Sequence, residues 1–419
     1  MTKKKAIHNI NTLRAYLTPI IFIIILLVQS CGRNNEKIIT HTSTSHYPVA
    51  YPYKINVSEA YDNPTNITLS SFADSIDYIP LETKPECLIK VIKDVEITSD
   101  YIFISQSNSI YKFDIEGKFL MQIGSHGNGP GEYAYIYSIR LNRNTKTIYV
   151  LDGMGKKVLK YDYNGKFLGS FKPGELFSAF LSIEPNLFVF HYPDVPIEHD
   201  IADYLLFFTD SLGNFQSKFV RKDNILAEQF VGIGQYNLYN IDNNVYFKDL
   251  HNDTILRVTP DTLTAHAVFE FGKYKLDKNV PTTTEMQKEL EKYLLVINVI
   301  ESPKNIFIKF SNGYGRKYFA GLYNKESGKL KISRDPSIKT TIFKNDLDGG
   351  PNFFPDNYDE RLNRLIGFTT AFRLKKHLES TEFINKEVSR LILKEKLIKL
   401  KTRINENDNP IIILIKEKD

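Results

Sequence analysis

Apolar and polar residues change rhythm three times along the chain. Lys3, Lys4, Lys5 and Arg14 lead into the unbroken apolar run Ile20–Val28. From Gly32 to about Thr65 the chain turns polar, with Thr, Ser and His followed by the tract Tyr47-Pro-Val-Ala-Tyr-Pro-Tyr53. Beyond Ile67, short apolar runs set in. Ser75-Ile-Asp-Tyr-Ile-Pro-Leu81 alternates, as a strand with one buried face should.

Within those runs lies a repeat. Asp114-Ile-Glu-Gly117-Lys-Phe119 recurs as Asp162-Tyr-Asn-Gly165-Lys-Phe167 and as Asp210-Ser-Leu-Gly213-Asn-Phe215, 48 residues apart both times. Aspartate with glycine three places on is hairpin chemistry, because Asp favours the turn and Gly supplies the positive φ. Strand-like runs flank each copy, and a further run precedes each: Tyr101-Ile-Phe-Ile, Thr147-Ile-Tyr-Val-Leu and Leu187-Phe-Val-Phe. Four strands in about 48 residues is the size of a propeller blade.

Degraded copies continue the pattern. Val245-Tyr-Phe, Thr254–Val258 and Ala265–Phe271 make a fourth blade, and Leu294–Ile300, Asn305–Phe310, Lys317–Tyr323 and Lys329–Ser333 a fifth. A sixth is expected to start at Thr341-Ile-Phe-Lys344 and to end on Asn409-Pro-Ile-Ile-Ile-Leu-Ile-Lys416. A ring of sheets must tie its ends together or leave edges exposed, so Ser75–Leu81 is expected to pair with that last strand. The expected fold is all-β: a six-bladed β-propeller with a helical insertion near the C-terminus and its last blade closed by N- and C-terminal strands. The expected boundaries are a signal segment at 1–30, a polar tether at 31–65, and the propeller at 66–419. Helical inserts are expected at about 282–293 and 356–404.

Composition adds limits. The chain has 419 residues, 42% of them apolar and 25% charged, which excludes disorder, collagen and a multi-span membrane protein. Its net charge of +5 belongs almost wholly to residues 1–30, which carry four bases and no acid; 50 bases against 49 acids remain. A near-neutral body argues against nucleic acid as a partner. The apolar stretch from Ala15 is too short to span a bilayer and reads as the h-region of a signal peptide. It runs into Val28-Gln29-Ser30-Cys31-Gly32, which resembles a bacterial lipoprotein signal. That resemblance implies cleavage before Cys31 and a lipid on its thiol. The other cysteine, Cys87, has apolar neighbours and reads as a buried structural thiol. Two cysteines and nine scattered histidines give no metal-ligand spacing. No metal and no cofactor are expected.

Ser75–Thr83, the loop Gly124-Ser-His-Gly-Asn-Gly-Pro-Gly-Glu-Tyr133, the turn Asp346-Leu-Asp-Gly-Gly350 and the ending Asn409-Pro-Ile-Ile-Ile together resemble the six-bladed β-propeller lipoproteins of Bacteroidetes. These are distantly similar to NHL-repeat propellers. The resemblance covers nearly all of residues 67–419. It implies the fold and a lipid-anchored place in the cell envelope, at the outer membrane rather than the inner one. It implies no reaction.

Candidate chemistry is sparse. Gly127, Gly129, Gly131 and Glu132 suggest an anion cradle, but no Lys-Ser/Thr follows and no helix opens there, so a crossing between blades is the simpler reading. The alternative has Glu132 and the loop amides lining the channel mouth. Asp346 and Asp348 read as a turn rather than half a calcium loop, since two carboxylates fall short of the six to eight ligands required. Arg373 to Arg403 holds ten basic and four acidic residues, with Leu393, Leu397, Leu400 and Ile404 forming one helical stripe. That stripe is expected to dock on its own domain; a cationic amphipathic helix also suits anionic lipid or a partner protein. The functional expectation is a membrane-anchored binding or scaffold module for a glycan, peptide or partner protein. The alternative is a lyase or hydrolase with a carboxylate or metal site in the central channel.

Overall fold

The computed structural model describes residues 52–174, 177, 179–183, 186–191, 204–220, 236–250, 252–276, 287–313, 317–335, 337 and 340–418. The expected signal segment, Cys31 and the tether up to residue 51 lie outside them. The first elements are β1 (Tyr53–Asn56), α1 (Val57–Asp62) and β2 (Ala73–Pro80). Blade 1 is β3 (Asp94–Ile97), β4 (Tyr101–Ser105), β5 (Ile110–Asp114) and β6 (Phe119–Gln122). Blade 2 is β7 (Ile136–Asn142), β8 (Thr147–Asp152), β9 (Lys157–Asp162) and β10 (Phe167–Phe171). Blade 3 is β11 (Ala179–Ile183), β12 (Leu187–His191), β13 (Tyr204–Asp210) and β14 (Phe215–Val220). Blade 4 is β15 (Tyr236–Ile241), β16 (Asn244–Asp249), β17 (Thr254–Val258) and β18 (Leu263–Glu270). After α2 (Gln287–Leu290), blade 5 is β19 (Leu294–Glu301), β20 (Asn305–Asn312), β21 (Tyr318–Asn324) and β22 (Lys329–Ser333). Blade 6 is β23 (Asn357–Asp359), β24 (Arg364–Thr369), β25 (Ile411–Glu417) and the early strand β2; α3 (Ala371–Leu378), α4 (Thr381–Asn385) and α5 (Leu391–Lys401) lie between β24 and β25.

The blades hold together because their middle strands are apolar on both faces. Ile102 and Ile104 of β4 pack with Ile366, Ile412 and Leu414 of blade 6, whereas Phe103 between them packs with Ile148 and Val150 of blade 2. Phe188 and Phe190 face blade 2 and Val189 faces blade 4. Successive residues of one strand thus serve opposite seams. Each of the six neighbouring blade pairs shares its own buried cluster. Burying one such Ile or Phe contributes roughly 1.5–3 kcal/mol. Six seams among six blades close the ring, and the first strands of successive blades lie side by side around its centre.

The three repeated corners are alike in atomic detail. Gly117, Gly165 and Gly213 have φ of 90°, 80° and 88°. Each donates its amide to the carbonyl of its own aspartate, and each aspartate Oδ1 accepts from the amide four residues on. The pairing of third and fourth strands slips by one residue at the same place in all three blades, at Lys112/Phe113, Lys160/Tyr161 and Phe208/Thr209. Closure is as expected: β2 pairs antiparallel with β25, Ile76 opposite Ile415 and Tyr78 opposite Ile413.

Three boundaries differ from the sequence reading. Residues 31–65 were expected as tether, yet β1 pairs in parallel with β18 as a fifth strand of blade 4, and Asn56 caps α1. Tyr53, Ile55 and Val57 bury their side chains in the seam between blades 4 and 5, so an alternating apolar strand is hidden behind the proline tract. The insert expected from residue 356 opens instead with β23 and β24; the helices start at Ala371, after the N-cap Thr370. The first strand of blade 6 is β23 rather than Thr341–Lys344, where Thr340 and Thr341 lie parallel to Tyr318 and Phe319 of blade 5. In the insert expected at 282–293, α2 is the one helix among the described residues, and 282–286 lie outside them.

Candidate functional site

Strand direction alternates within each blade, so turns after first and third strands share one face of the wheel. Loops after second and fourth strands share the other. The aspartate–glycine corners lie on the first face. The loop Gly124–Tyr133 and helices α3–α5 lie on the second.

The glycine loop is built around its own side chains. Glu132 Oε2 accepts the Gly129 amide at 2.8 Å, and a Cβ at Gly127 would stand 2.1 Å from that oxygen. Gly131, at φ 75°, lies under the Phe167 ring, and its carbonyl accepts Tyr161 Oη at 2.8 Å. The loop therefore rests on β9 and β10, the outer half of blade 2. Asp346 receives the amide and hydroxyl of Ser70, and Asp348 is fully buried, taking the Gly350 amide at 2.8 Å. Burial raises the Asp348 carboxyl above its usual range. Both aspartates act as turn and anchor groups. Among the described residues, no three His, Cys, Asp or Glu side chains gather as metal ligands. Cys87 is buried, with its Sγ 3.3 Å from the Glu82 carbonyl.

Ionisable groups converge instead on the first strands of blades 1, 2 and 6. Asp94 and Glu96 come from β3, Arg140 from β7, Arg143 from the turn after it, and Asp359 from β23. Asp94 Oδ2 accepts the Ile139 amide at 3.0 Å and Arg140 Nη1 at 3.3 Å. Glu96 stands 3.7 Å from each arginine. Arg143 Nη2 also binds the Ile97 carbonyl at 2.7 Å and pairs with Asp359, so one guanidinium from blade 2 joins blades 1 and 6. Glu96 is 8% exposed. Burial pushes its carboxyl up to about 7 against the pull of Arg140 and Arg143. Beside it Tyr163, pushed up to about 12 by burial, feels the charges of Arg143, Glu96 and Arg361. The Tyr163 hydroxyl and Arg143 Nε are buried with no hydrogen-bond partner among the described residues. A carboxyl titrating near neutrality beside a free phenol and a free N–H is equipped to receive a small polar group and to hold or release a proton.

A second cluster ties blades 4 and 5. Glu301 binds His266 Nε2 at 2.9 Å, Lys325 Nζ at 2.6 Å and Tyr239 Oη at 2.6 Å. Burial alone would raise its carboxyl, but the His266 bond and the Lys325 charge bring it down to about 2. On blade 5, a cavity of about 140 Å³ is lined by Tyr61, Asn312, Lys317, Phe319 and Arg334, whose guanidinium lies 4.0 Å from the Tyr61 ring centre. The stripe Leu393, Leu397 and Ile404 is buried against the wheel, with Leu400 partly so.

None of the channel groups stood out in the sequence. Asp94, Glu96, Arg143 and Asp359 belong to no motif, and only the ring brings them together. One signal existed: each lies in, or just beyond, the first strand of its blade.

The six sheets define a six-bladed β-propeller, with the charged cluster on its first strands. The family model described as a domain of unknown function, DUF4934, matches residues 52–416, and the chain belongs to that family. Among solved structures, a candidate exported protein of Bacteroides fragilis is 20% identical; the match covers 88% of this chain and 99% of that one, with a TM-score of 0.67. A member of the DUF4221 family from Bacteroides vulgatus is 12% identical over 62% of this chain and 84% of that one, at a TM-score of 0.42. An inactive virginiamycin B lyase from Staphylococcus aureus, solved with quinupristin, is 15% identical over 61% and 75%, at 0.36. The first likeness shows the fold, and the other two carry no argument. Comparison with functionally curated proteins gives no match.

Proposed function

We propose that the protein is a cell-envelope propeller, lipid-anchored at Cys31 to the outer rather than the inner membrane, that serves as a binding or scaffold module. Its ligand is a glycan, a peptide or a partner protein. One observation carries this reading: both clusters of buried charge join neighbouring blades. Arg143 holds blades 1 and 6, and Glu301 holds blades 4 and 5, so the ionisable groups act first to stiffen a frame that presents loops. The basic lead, the short apolar run and Cys31 support export, and the Bacteroides fragilis protein with the same wheel is itself described as a candidate exported protein. The expected result of a glycan array and a peptide screen is a ligand that Glu96→Gln still binds. Turnover of any glycan or peptide, abolished by Glu96→Gln, would overturn the reading.

A second reading has its own observation. Glu96 near neutrality, with the Tyr163 hydroxyl and Arg143 Nε unpartnered beside it, suits a lyase or hydrolase working at the channel. That same variant decides between the two.

A further inference from the structure

We propose that the outward face of α5 is a membrane-surface contact that seats on an anionic phospholipid bilayer, apart from any lipid on Cys31. The inference rests on the envelope reading only for the presence of a membrane. The inward face of α5 is accounted for by Leu393 and Leu397. Its outward face is not what a solvated helix carries. Leu391, Ile392 and Ile398 are 71%, 67% and 47% exposed, and Ile384 of the adjoining α4 is 60% exposed.

The rows of the helix arrange these residues in an interfacial pattern. Leu391, Glu395, Ile398 and Thr402 follow one another at i, i+4, i+7 and i+11; Ile392, Lys396, Lys399 and Arg403 form the adjacent row at the same spacing. Leu391 and Ile398 thus stand beside a row that is basic after Ile392, with Glu395 as the single acid. Not every cation of the cap counts. Lys394 is turned inward to the Ile384 and Lys386 carbonyls and Lys375 to the Ile404 carbonyl, while exposed Arg390 lies 3.7 Å from Asp74. Arg373, Lys376, Lys396, Lys399 and Arg403 remain exposed.

Charge selects the occupant. Residues 373–403 hold ten bases and four acids; the rest of 31–419 holds 40 bases and 45 acids. An anionic plane therefore attracts the cap and repels the remaining body, orienting the wheel as it approaches. Lysines flanking exposed Leu and Ile suit headgroups above acyl chains, where their stems lie along the apolar layer; protein interface cores are depleted in Lys. At 11 residues α5 is about 16 Å long, enough to lie in the interface and too short to cross it.

The test is co-sedimentation of the chain from residue 31 carrying Cys31→Ala, so that no acyl group is present. Vesicles are phosphatidylcholine alone or mixed with phosphatidylglycerol. The expected result is binding to the mixed vesicles that weakens as salt rises, at least ~10-fold loss in Leu391→Ser/Ile398→Ser and in Lys396→Glu/Lys399→Glu, and none in Leu120→Ser, an exposed apolar residue on blade 1. The melting temperature should change little, because these side chains are largely exposed. No vesicle binding, equal binding to neutral vesicles, or unaltered binding in both double variants would overturn the proposal. So would a dimer in sedimentation that the same substitutions dissolve, which would assign the face to a second copy.

Discussion

Lys112 and Lys160 make the same bond in successive blades. Each sits in a third strand and donates to a backbone carbonyl 51 residues ahead: Lys112 Nζ to Tyr163 at 2.8 Å, Lys160 Nζ to Ser211 at 2.7 Å. Both acceptors follow the aspartate of the next corner, so the repeat encodes a staple between blades as well as a turn. Burial lowers both ammonium groups from their usual range, Lys112 being 4% exposed. Lys112→Met is expected to cost about 1–3 kcal/mol by orphaning a buried carbonyl. Lys160→Met, at a less buried site, should cost less. Urea unfolding that shows no loss in either variant would remove the staple from the account.

Arg143→Ala leaves Asp359 and Glu96 without the guanidinium that spans them. Removing one partner of a buried pair is costly, and the expected loss is roughly 3 kcal/mol. Chemical denaturation reads it, and a change under about 1 kcal/mol would show that the bridge across the ring adds little.

Glu96 gives a pH signature. Its folded carboxyl titrates at about 7, above the ordinary value of 4.5, so the folded chain keeps a proton that the unfolded chain releases. Stability is therefore fully present below about 4.5 and falls as pH rises through 7, by roughly 3 kcal/mol in all. Glu96→Gln, neutral at every pH, should flatten that slope. An identical slope in the variant would sink the assignment.

The corner glycines should not be equal. A Cβ at Gly117 would meet the Pro80 carbonyl oxygen at 2.2 Å and one at Gly213 the Lys172 carbonyl oxygen at 2.6 Å, but at Gly165 the nearest atom is the mobile Met121 Cε at 3.0 Å. Gly165→Ala should cost about 1–2 kcal/mol from backbone strain alone. The other two should cost more, and equal melting temperatures across the three would contradict the close approaches.

Cys31→Ala is expected to move the protein out of the membrane fraction at physiological salt. With the lipid gone only the helical cap remains, and its electrostatic attraction should still be felt at low salt. Unchanged membrane recovery in high salt would count against lipidation.

Much of the wheel was legible because its signals are local. Asp114, Asp162 and Asp210 set corners from within four residues, and the 48-residue interval follows from three copies of them. Ile76 and Ile415 could be paired because a ring must close. Other elements escaped where local composition misleads. Prolines hid the strand after Pro52, and the Gly-, Pro- and Asn-rich Asp346–Tyr358 disguised the approach to β23. The charged site was illegible for a different reason: Asp94 and Asp359 meet through ring geometry, and no spacing along the chain announces it.

Blade 6 has a temporal consequence. Its outermost strand β2 precedes the other five blades in the chain and its neighbour β25 follows them, so the latch cannot engage until every blade between has been made. Until then the nascent chain has an unzipped circumference. A ring whose ends meet only across all the other blades keeps its latch open while those blades are being made.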